Sequence, residues 1–271
     1  MQKTTEAAGM DFHHENFLRR SRYATVFFVL LLAFGAITVL NINTGNVHIS
    51  VENILKIIFL RQGEEMEYNI IWKIRLPRIL MAAILGGGLS LSGFLLQTFF
   101  ENPIAGPFVL GISSGAKMVV ALAMIYFIGH YQVVSSYTLI IAAFIGSLIA
   151  TGFILLMSRR VQHMATLLVA GIMIGYICSA VTDFVVTFAE DSDIVNLHGW
   201  SQGSFSGMSW SNVQVAAIVV GIAALLAFLM SKPIGAYQLG EAYAQSMGVN
   251  IKAFRVILIL LSSILSACVT A

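Results

Sequence analysis

One stretch of this 271-residue chain carries residue types that do chemistry in other proteins. Gly111-Ile-Ser-Ser-Gly115 fits the G-x-S-x-G pattern that, in hydrolases, lifts a serine nucleophile onto a sharp turn between strand and helix. That elbow needs a parallel sheet beneath it and an acid and a histidine downstream. Here the match opens a long apolar run, the wrong setting for Ser113 as a nucleophile. Residues 111–117 also imitate a phosphate loop. The spacing between Gly111 and Gly115 is one residue short, and Met118 follows Lys117 where a serine or threonine must bind magnesium. The chain therefore has no ATP-hydrolysing loop of its own.

Other reactive types are sparse. The six histidines form no H-E-x-x-H pair. Cys178 and Cys268 sit in apolar runs, as small buried hydrophobes do, without metal-site or disulfide spacing. Asp183 is the one carboxylate well inside an apolar run, and Lys117 lies two to three turns into another. Intramembrane acids are costly and often functional. Asp183, however, falls near a helix end where snorkelling or a local hydrogen bond satisfies it, and Lys117 has a stem long enough to do the same.

The elements that must hold these residues follow from composition. Hydrophobic residues make up 58% of the chain and charged ones 10%, with a mean hydropathy of +0.87. Soluble domains carry about 25% charged residues, so lipid rather than water must cover this surface. The net charge of +2 is too small for a nucleic-acid partner. The fold class expected is all-α, a polytopic transmembrane helical bundle. Apolar runs at residues 23–40, 79–100, 108–128, 137–157, 164–188, 212–230 and 256–271 predict seven spans. Residues 1–22 are a polar N-terminal segment, and the first run is read as a retained helix because no cleavage site follows it. Residues 51–60, with Glu52 and Lys56 opposite an apolar face, predict a short interfacial helix. Polar breaks fall at 101–107, 130–136, 190–211 and 231–253. The last run holds 16 residues and has no polar flank. The expectation is a chain cut inside its seventh helix.

Positive charge in the connections orients the bundle. With the N-terminus inside, the inner segments carry Lys3, Arg19, Arg20, Arg22, Arg159, Arg160, Lys232, Lys252 and Arg255, nine in all. The outer ones carry Lys56, Arg61, Lys73, Arg75 and Arg78, all in the connection before the second span. Small residues four apart mark helix contact faces in lipid. Such rows are Ala82, Gly86 and Ser90 beside Gly88 and Ser92; Ala142, Gly146 and Ala150; and Gly171, Gly175, Ser179 and Asp183. They predict faces turned toward protein or a cavity, and the same residue types would line a transport path.

Read in order, several motifs resemble the FecCD family of permease subunits, which belong to ABC importers for iron–siderophores, haem and vitamin B12. They are Arg75-Leu-Pro-Arg78, the Gly86–Gly93 run, Gln97, Glu101-Asn-Pro-Ile-Ala105 with Pro107, and Leu110–Ala116. They continue through Leu168-Val-Ala-Gly171, Trp200 with Gly203-Ser204, Leu239-Gly-Glu-Ala242 and Ser246-Met-Gly-Val249. The match covers about residues 70–271. The family's complete chain has ten spans, and the resemblance stops in the seventh.

The resemblance implies roles. Arg75 and Arg78 would face outward and meet glutamates of a substrate-binding protein, for which guanidinium groups are suited by bidentate pairing. The 231–253 loop would be the segment that couples to an ATPase subunit, through Gly240, Glu241, Ala242, Ser246 and Gly248. Asn102, Pro103 and Pro107 would shape the translocation path. Met164 and Ala165, in a turn at 162–166, would lie at an inner gate where relatives often carry small hydroxyl residues. Gly171, Gly175 and Ser179 would line the path beyond it. The implied partners are two ATP-binding subunits, an extracytoplasmic binding protein, a second permease copy or related subunit, and membrane lipid. ATP and magnesium would be bound by the partner ATPase, with no cofactor in this chain. The expected place is a bacterial cytoplasmic membrane.

The expected activity is import of an iron chelate, with haem or cobalamin as alternative cargoes of the same family. Competing readings are an ion-coupled secondary transporter using Asp183, a membrane enzyme using Ser113, and a non-transporting fragment.

Overall fold

A computed structural model describes residues 2–45, 47, 49–128, 136–158, 160–161 and 163–271, with side chains from residue 15 onward except 127, 128, 136 and 137. Most of the 130–136 break, together with Arg159, Gln162 and the side chain of Lys3, lies outside the described residues. The described chain is helical, with no strand among the described residues. It divides into two compact units, Met1–Ile79 and Leu80–Ala271.

The N-terminal unit begins with α1 (Gln2–Asn43). Only 6% of its most apolar window is buried within the chain, so its stability rests on lipid contact rather than packing. Beyond it come α2 (Val51–Leu55), started by Ser50, whose hydroxyl accepts the Asn53 N–H, and a π-helical turn at Lys56–Leu60. This is the short helix predicted at 51–60. Then α3 (Glu65–Asn69) and a second π-helical stretch (Ile70–Arg75) lead into α4 (Leu76–Phe100). The helical backbone is continuous from Glu65 to Phe100. The second span thus begins well before residue 79, because Glu65, Glu67, Lys73 and Arg75 sit on a helix that hydropathy alone reads as a connection.

Ile42, Ile49, Ile54, Ile57 and Ile71 form this unit's core. Arg75 ties it to the end of α1. Its guanidinium donates to the carbonyl oxygens of Ile42 and, at 2.7 Å, Val47. The last carbonyls of a helix lack intrahelical donors, and a cation there also meets the negative end of the helix dipole.

The C-terminal unit continues α4 from Leu80 and adds α5 (Ile112–Ile128), α6 (Ser136–Ser158), α7 (Met164–Val186), α8 (Asp191–Gln202), α9 (Trp210–Leu229), α10 (Ser231–Gln238), α11 (Glu241–Ser246) and α12 (Ile251–Thr270). Among the described residues of both units, six helices are long and apolar enough to cross a membrane, and α5 is a shorter apolar helix. These correspond to the seven predicted runs. The seventh starts at Ile251, capped by Asn250, whose side chain accepts the Ala253 N–H. Lys252 and Arg255 on its first turns hide that start from a hydropathy reading. Helix α8 was not expected in the Gly/Ser-rich stretch. Asp191 and Asp193 occupy its first turn, where the dipole favours anions.

Packing follows the small residues. A β-carbon on Gly146 of α6 would lie 2.2 Å from the carbonyl oxygen of Gly115 on α5. Ala142 and Ala150, in the same row, are buried. Ser92 of α4 and Ser262 of α12 form a reciprocal pair, each hydroxyl donating to the other's backbone carbonyl, at 2.9 and 3.1 Å. Gly88, in the Ser92 row, faces Val220 and Leu265. The adjacent row of Ala82, Gly86 and Ser90 is exposed, so only one of the two α4 rows is covered by this chain.

Replacing Gly146 with valine is expected to force α5 and α6 apart. The loss should reach about 1–3 kcal/mol, the range for overpacked interiors, and be read as a lower thermal midpoint of the detergent-solubilised protein. Gly152→Val, whose new β-carbon meets nothing within 4 Å, is the control that should leave the midpoint nearly unchanged. Equal midpoints for the two variants would refute the close approach.

Candidate functional site

The chemistry of this chain concentrates where α4 ends. Glu101 stops the helix in the left-handed region, at φ 50°. A non-glycine residue there costs on the order of 1 kcal/mol. The turn is held by side chains: Gln97 donates to the Pro103 carbonyl at 3.1 Å, and the Asn102 side chain accepts the Ile104 N–H at 3.0 Å. Pro107 then opens a 3₁₀ turn at Pro107–Leu110, where its missing N–H is not needed. Gly111 closes that turn at φ 68°, and a β-carbon on it would sit 2.7 Å from the Gly175 nitrogen. Both its dihedral and its contact with α7 therefore require glycine.

That contact explains the elbow-like motif. Gly111 and Gly115 are packing residues, against α7 and α6 respectively. The Ser113 hydroxyl lies 3.4 Å from that of Thr270 on α12. A threonine is no general base, so this contact does not activate Ser113 for attack.

Two short helices approach the α4 break from the far end of the chain. The segment after α9 folds as α10 and α11, separated by Gly240 at φ 120° and closed by Gly248 at φ 86°. Phe94, Gln97, Thr98, Glu101, Asn102, Pro103, Gln238, Leu239 and Gly240 line one groove of about 520 Å³. Gln238 reaches across it to Thr98, at 3.4 Å. Asn102, Pro103 and Gly240, predicted separately for path and coupling, thus share one groove. Pro107 is buried beside it in sequence.

Beneath α10 and α11 lies a cluster that the sequence reading missed. Tyr237 is fully buried and its ring lies 5.2 Å from that of Phe254. Arg255 Nε approaches the Tyr237 hydroxyl at 3.5 Å, and Nη2 donates to Glu241 Oε2 at 2.7 Å. Burial pushes the Tyr237 phenol above its ordinary value, with Glu101 and Glu241 adding to the rise and Arg255 opposing it. The phenol therefore stays protonated across the physiological range. The available signal was a pair of opposite charges fourteen residues apart, Glu241 and Arg255, across the turn at Gly248 whose geometry no local pattern sets.

The FecCD transport family model matches residues 30–271. The chain belongs to the FecCD transport family. It is similar to the hemin transport system permease protein HmuU of Yersinia pestis, at 36% identity over 203 residues, covering 74% of this chain and 61% of HmuU. It is also similar to the vitamin B12 import system permease protein BtuC of Klebsiella pneumoniae, at 34% identity over 189 residues, covering 70% of this chain and 56% of BtuC. The chain spans less than two thirds of the length of these two relatives. A solved structure of a metal-chelate type ABC transporter in an inward-facing conformation shares the fold, with a TM-score of 0.77 and 25% identity over 90% of this chain and 74% of that one.

The remaining FecCD-implied positions are scattered over this fold. Ala242, Ser246 and Gly248 are exposed on and just after α11, while Gly240 is half-buried in the groove. Met164 packs against the core and Ala165 is exposed, both on the first turn of α7. Gly171 is buried against Leu110, Gly175 meets Gly111, and Ser179 and Asp183 are exposed toward the other end of α7. In the N-terminal unit Arg75 and Arg78 are half-buried, and Arg75 already donates to two carbonyls.

Truncating Tyr237 to alanine should cost about 3–5 kcal/mol, as for other large buried rings, whereas Tyr237→Phe should cost about 1 kcal/mol. Thermal denaturation of the two variants in detergent measures both. Equal losses would mean that the hydroxyl, and not the ring, holds α10 in place.

Proposed function

We propose that this chain is the membrane-spanning permease part of an ATP-binding-cassette importer that moves an iron chelate across a bacterial cytoplasmic membrane. The observation that carries the reading is the shared groove, in which the α4 break meets the α10–α11 segment. A device that converts ATP hydrolysis into movement of a path must join the surface that receives the push to the segment that shapes the path. Support comes from the FecCD membership, from relatives named for hemin and vitamin B12, and from the metal-chelate type neighbour.

In this reading two ATP-binding subunits, with ATP and magnesium, dock on the exposed face of Ala242, Ser246 and Gly248. Gly240 and Gly248 let the short α11 tilt. The movement reaches Asn102, Pro103 and Pro107 and alternates access to the path. A second permease copy or a related subunit completes the path, lined by Gly171, Gly175 and Ser179 and closed near Met164 and Ala165. On the outer side, Arg75 and Arg78 receive acidic side chains of the binding protein. Two donors of Arg75 are already used, on Ile42 at the end of α1 and on Val47 beyond it, so Arg75 presents the remaining edge of its guanidinium. The N-terminus lies in the cytoplasm, as the lysine and arginine count directs. The chain itself is a transporter subunit and supplies no catalytic group.

The test is uptake of labelled ferric siderophores, haem and cobalamin in a strain lacking the gene, complemented by the native chain or by Gly248→Val. Uptake of an iron chelate that needs ATP and falls at least about tenfold with Gly248→Val supports the reading. ATP-dependent uptake of haem or cobalamin alone would reassign the cargo. Uptake that ignores ATP but collapses with the proton gradient, and is lost in Asp183→Asn, would replace it with an ion-coupled transporter.

A further inference from the structure

The Arg255–Glu241 pair offers a role for Glu241 different from contact with an ATPase. Glu241 is the first residue of α11, and its carboxylate turns back toward α12, with Arg255 Nη2 at 2.7 Å. Helix α11 is bounded by glycines in positive-φ conformations at Gly240 and Gly248, so its backbone can pivot at both ends. It is fixed to the rest of the unit by the buried Ala244 on its inner face, by Val249, whose N–H donates to the Ala244 carbonyl, and by this ion pair. Arg255 is the better buried partner, at 21% side-chain exposure against 46% for Glu241. It is held by its position on α12, next to Phe254, whose ring packs on Tyr237 of α10. Farther along, α12 is locked to α4 by the Ser92–Ser262 pair. A continuous chain of contacts therefore runs from α11 through Arg255 and α12 to α4.

We propose that Arg255 is a positioning residue for energy coupling: through Glu241 it transmits displacement of α11 to α12. The inference rests on the permease reading. A pair this exposed contributes little to fold stability because water and salt screen it. A pair that holds a twice-hinged helix still sets how far that helix slips before α12 follows. Removal of the charge should therefore spoil coupling far more than folding. An acid that met the ATPase directly would instead be tuned to a basic group on that subunit.

The test compares Glu241→Arg, Arg255→Glu and the double exchange in the full chain, assembled with its ATP-binding subunits and binding protein in proteoliposomes. Three readouts are taken: co-purification of the ATP-binding subunit, ATP hydrolysis, and chelate taken up per ATP hydrolysed. Each single variant should keep co-purification and hydrolysis but lose about tenfold in uptake per ATP, and the double exchange should restore most of it. Arg255→Gln, which removes charge without repulsion, should behave like the single exchanges. Single variants with native uptake per ATP would overturn the inference. So would singles that lose the ATP-binding subunit and are not rescued by the double exchange, which would return Glu241 to a partner contact. If the native chain shows no ATP-dependent uptake, the permease reading itself fails and the inference falls with it.

Discussion

Gly115 and Gly146 bring the backbones of α5 and α6 so close that neither tolerates a β-carbon. The C-terminal unit depends on that approach. In lipid, apolar side chains gain nothing by leaving hydrocarbon for hydrocarbon, so helices associate through close packing and polar contacts. With α6 held at Gly146, the start of α5 also packs on α7, where Gly111 meets Gly175. Those two contacts place the 3₁₀ turn at Pro107–Leu110, and with it the α4 break. Alanine at Gly111 would lose both the turn dihedral and the space. The motif that imitates a hydrolase elbow is thus a by-product of helix packing, with the Ser113 hydroxyl set against that of Thr270.

A second rule governs several of the polar groups: they find partners at short range in elements distant in sequence. Ser92 and Ser262 exchange hydrogen bonds across 170 residues. Arg75 closes the end of α1 from 33 residues away. Gln238 reaches Thr98 from 140 residues away. A hydrogen bond to a hydroxyl in lipid contributes only about 1 kcal/mol, so none of these contacts holds the fold alone. Their value is in register, since each fixes how far one helix slides along another.

The parts legible in sequence were those governed by local rules. The apolar runs follow from the thickness of the bilayer, and the Ala142–Gly146–Ala150 row follows from helical periodicity. The limits have physical causes. In α4 the Gly88–Ser92 row is covered and the Ala82–Gly86–Ser90 row is exposed. Both have the same chemistry, and only the placement of α9 and α12 distinguishes them. Helix α8 was hidden because helix-dipole complementarity at Asp191 and Asp193 leaves no hydropathy signal. Of the candidate site, Asn102, Pro103 and Gly240 were nameable from motif resemblance, but their convergence required the path of the chain. Arg255 was only a charge in a count, since its partner lies beyond the Gly248 turn.

The two uses of glycine in this unit are opposed, and the opposition separates tightly packed positions from turns. At Gly111, Gly115, Gly146 and Gly175 the missing side chain lets backbones touch, which resists motion because any shift opens a void or drives atoms into overlap. At Gly240 and Gly248 a β-carbon would meet nothing within 4 Å; glycine is used there for its dihedral. Such positions store no packing energy and so offer little resistance to rotation. A helix between two of them would drift unless something cheaper than a packed interface held it. The partly exposed Glu241–Arg255 pair, beside the buried Ala244, suits that purpose, because a screened ion pair keeps α11 in register without the resistance of a packed interface. Beyond that pair, α12 and α4 are joined by paired serines rather than by glycine turns, which fixes the register of one helix on the other.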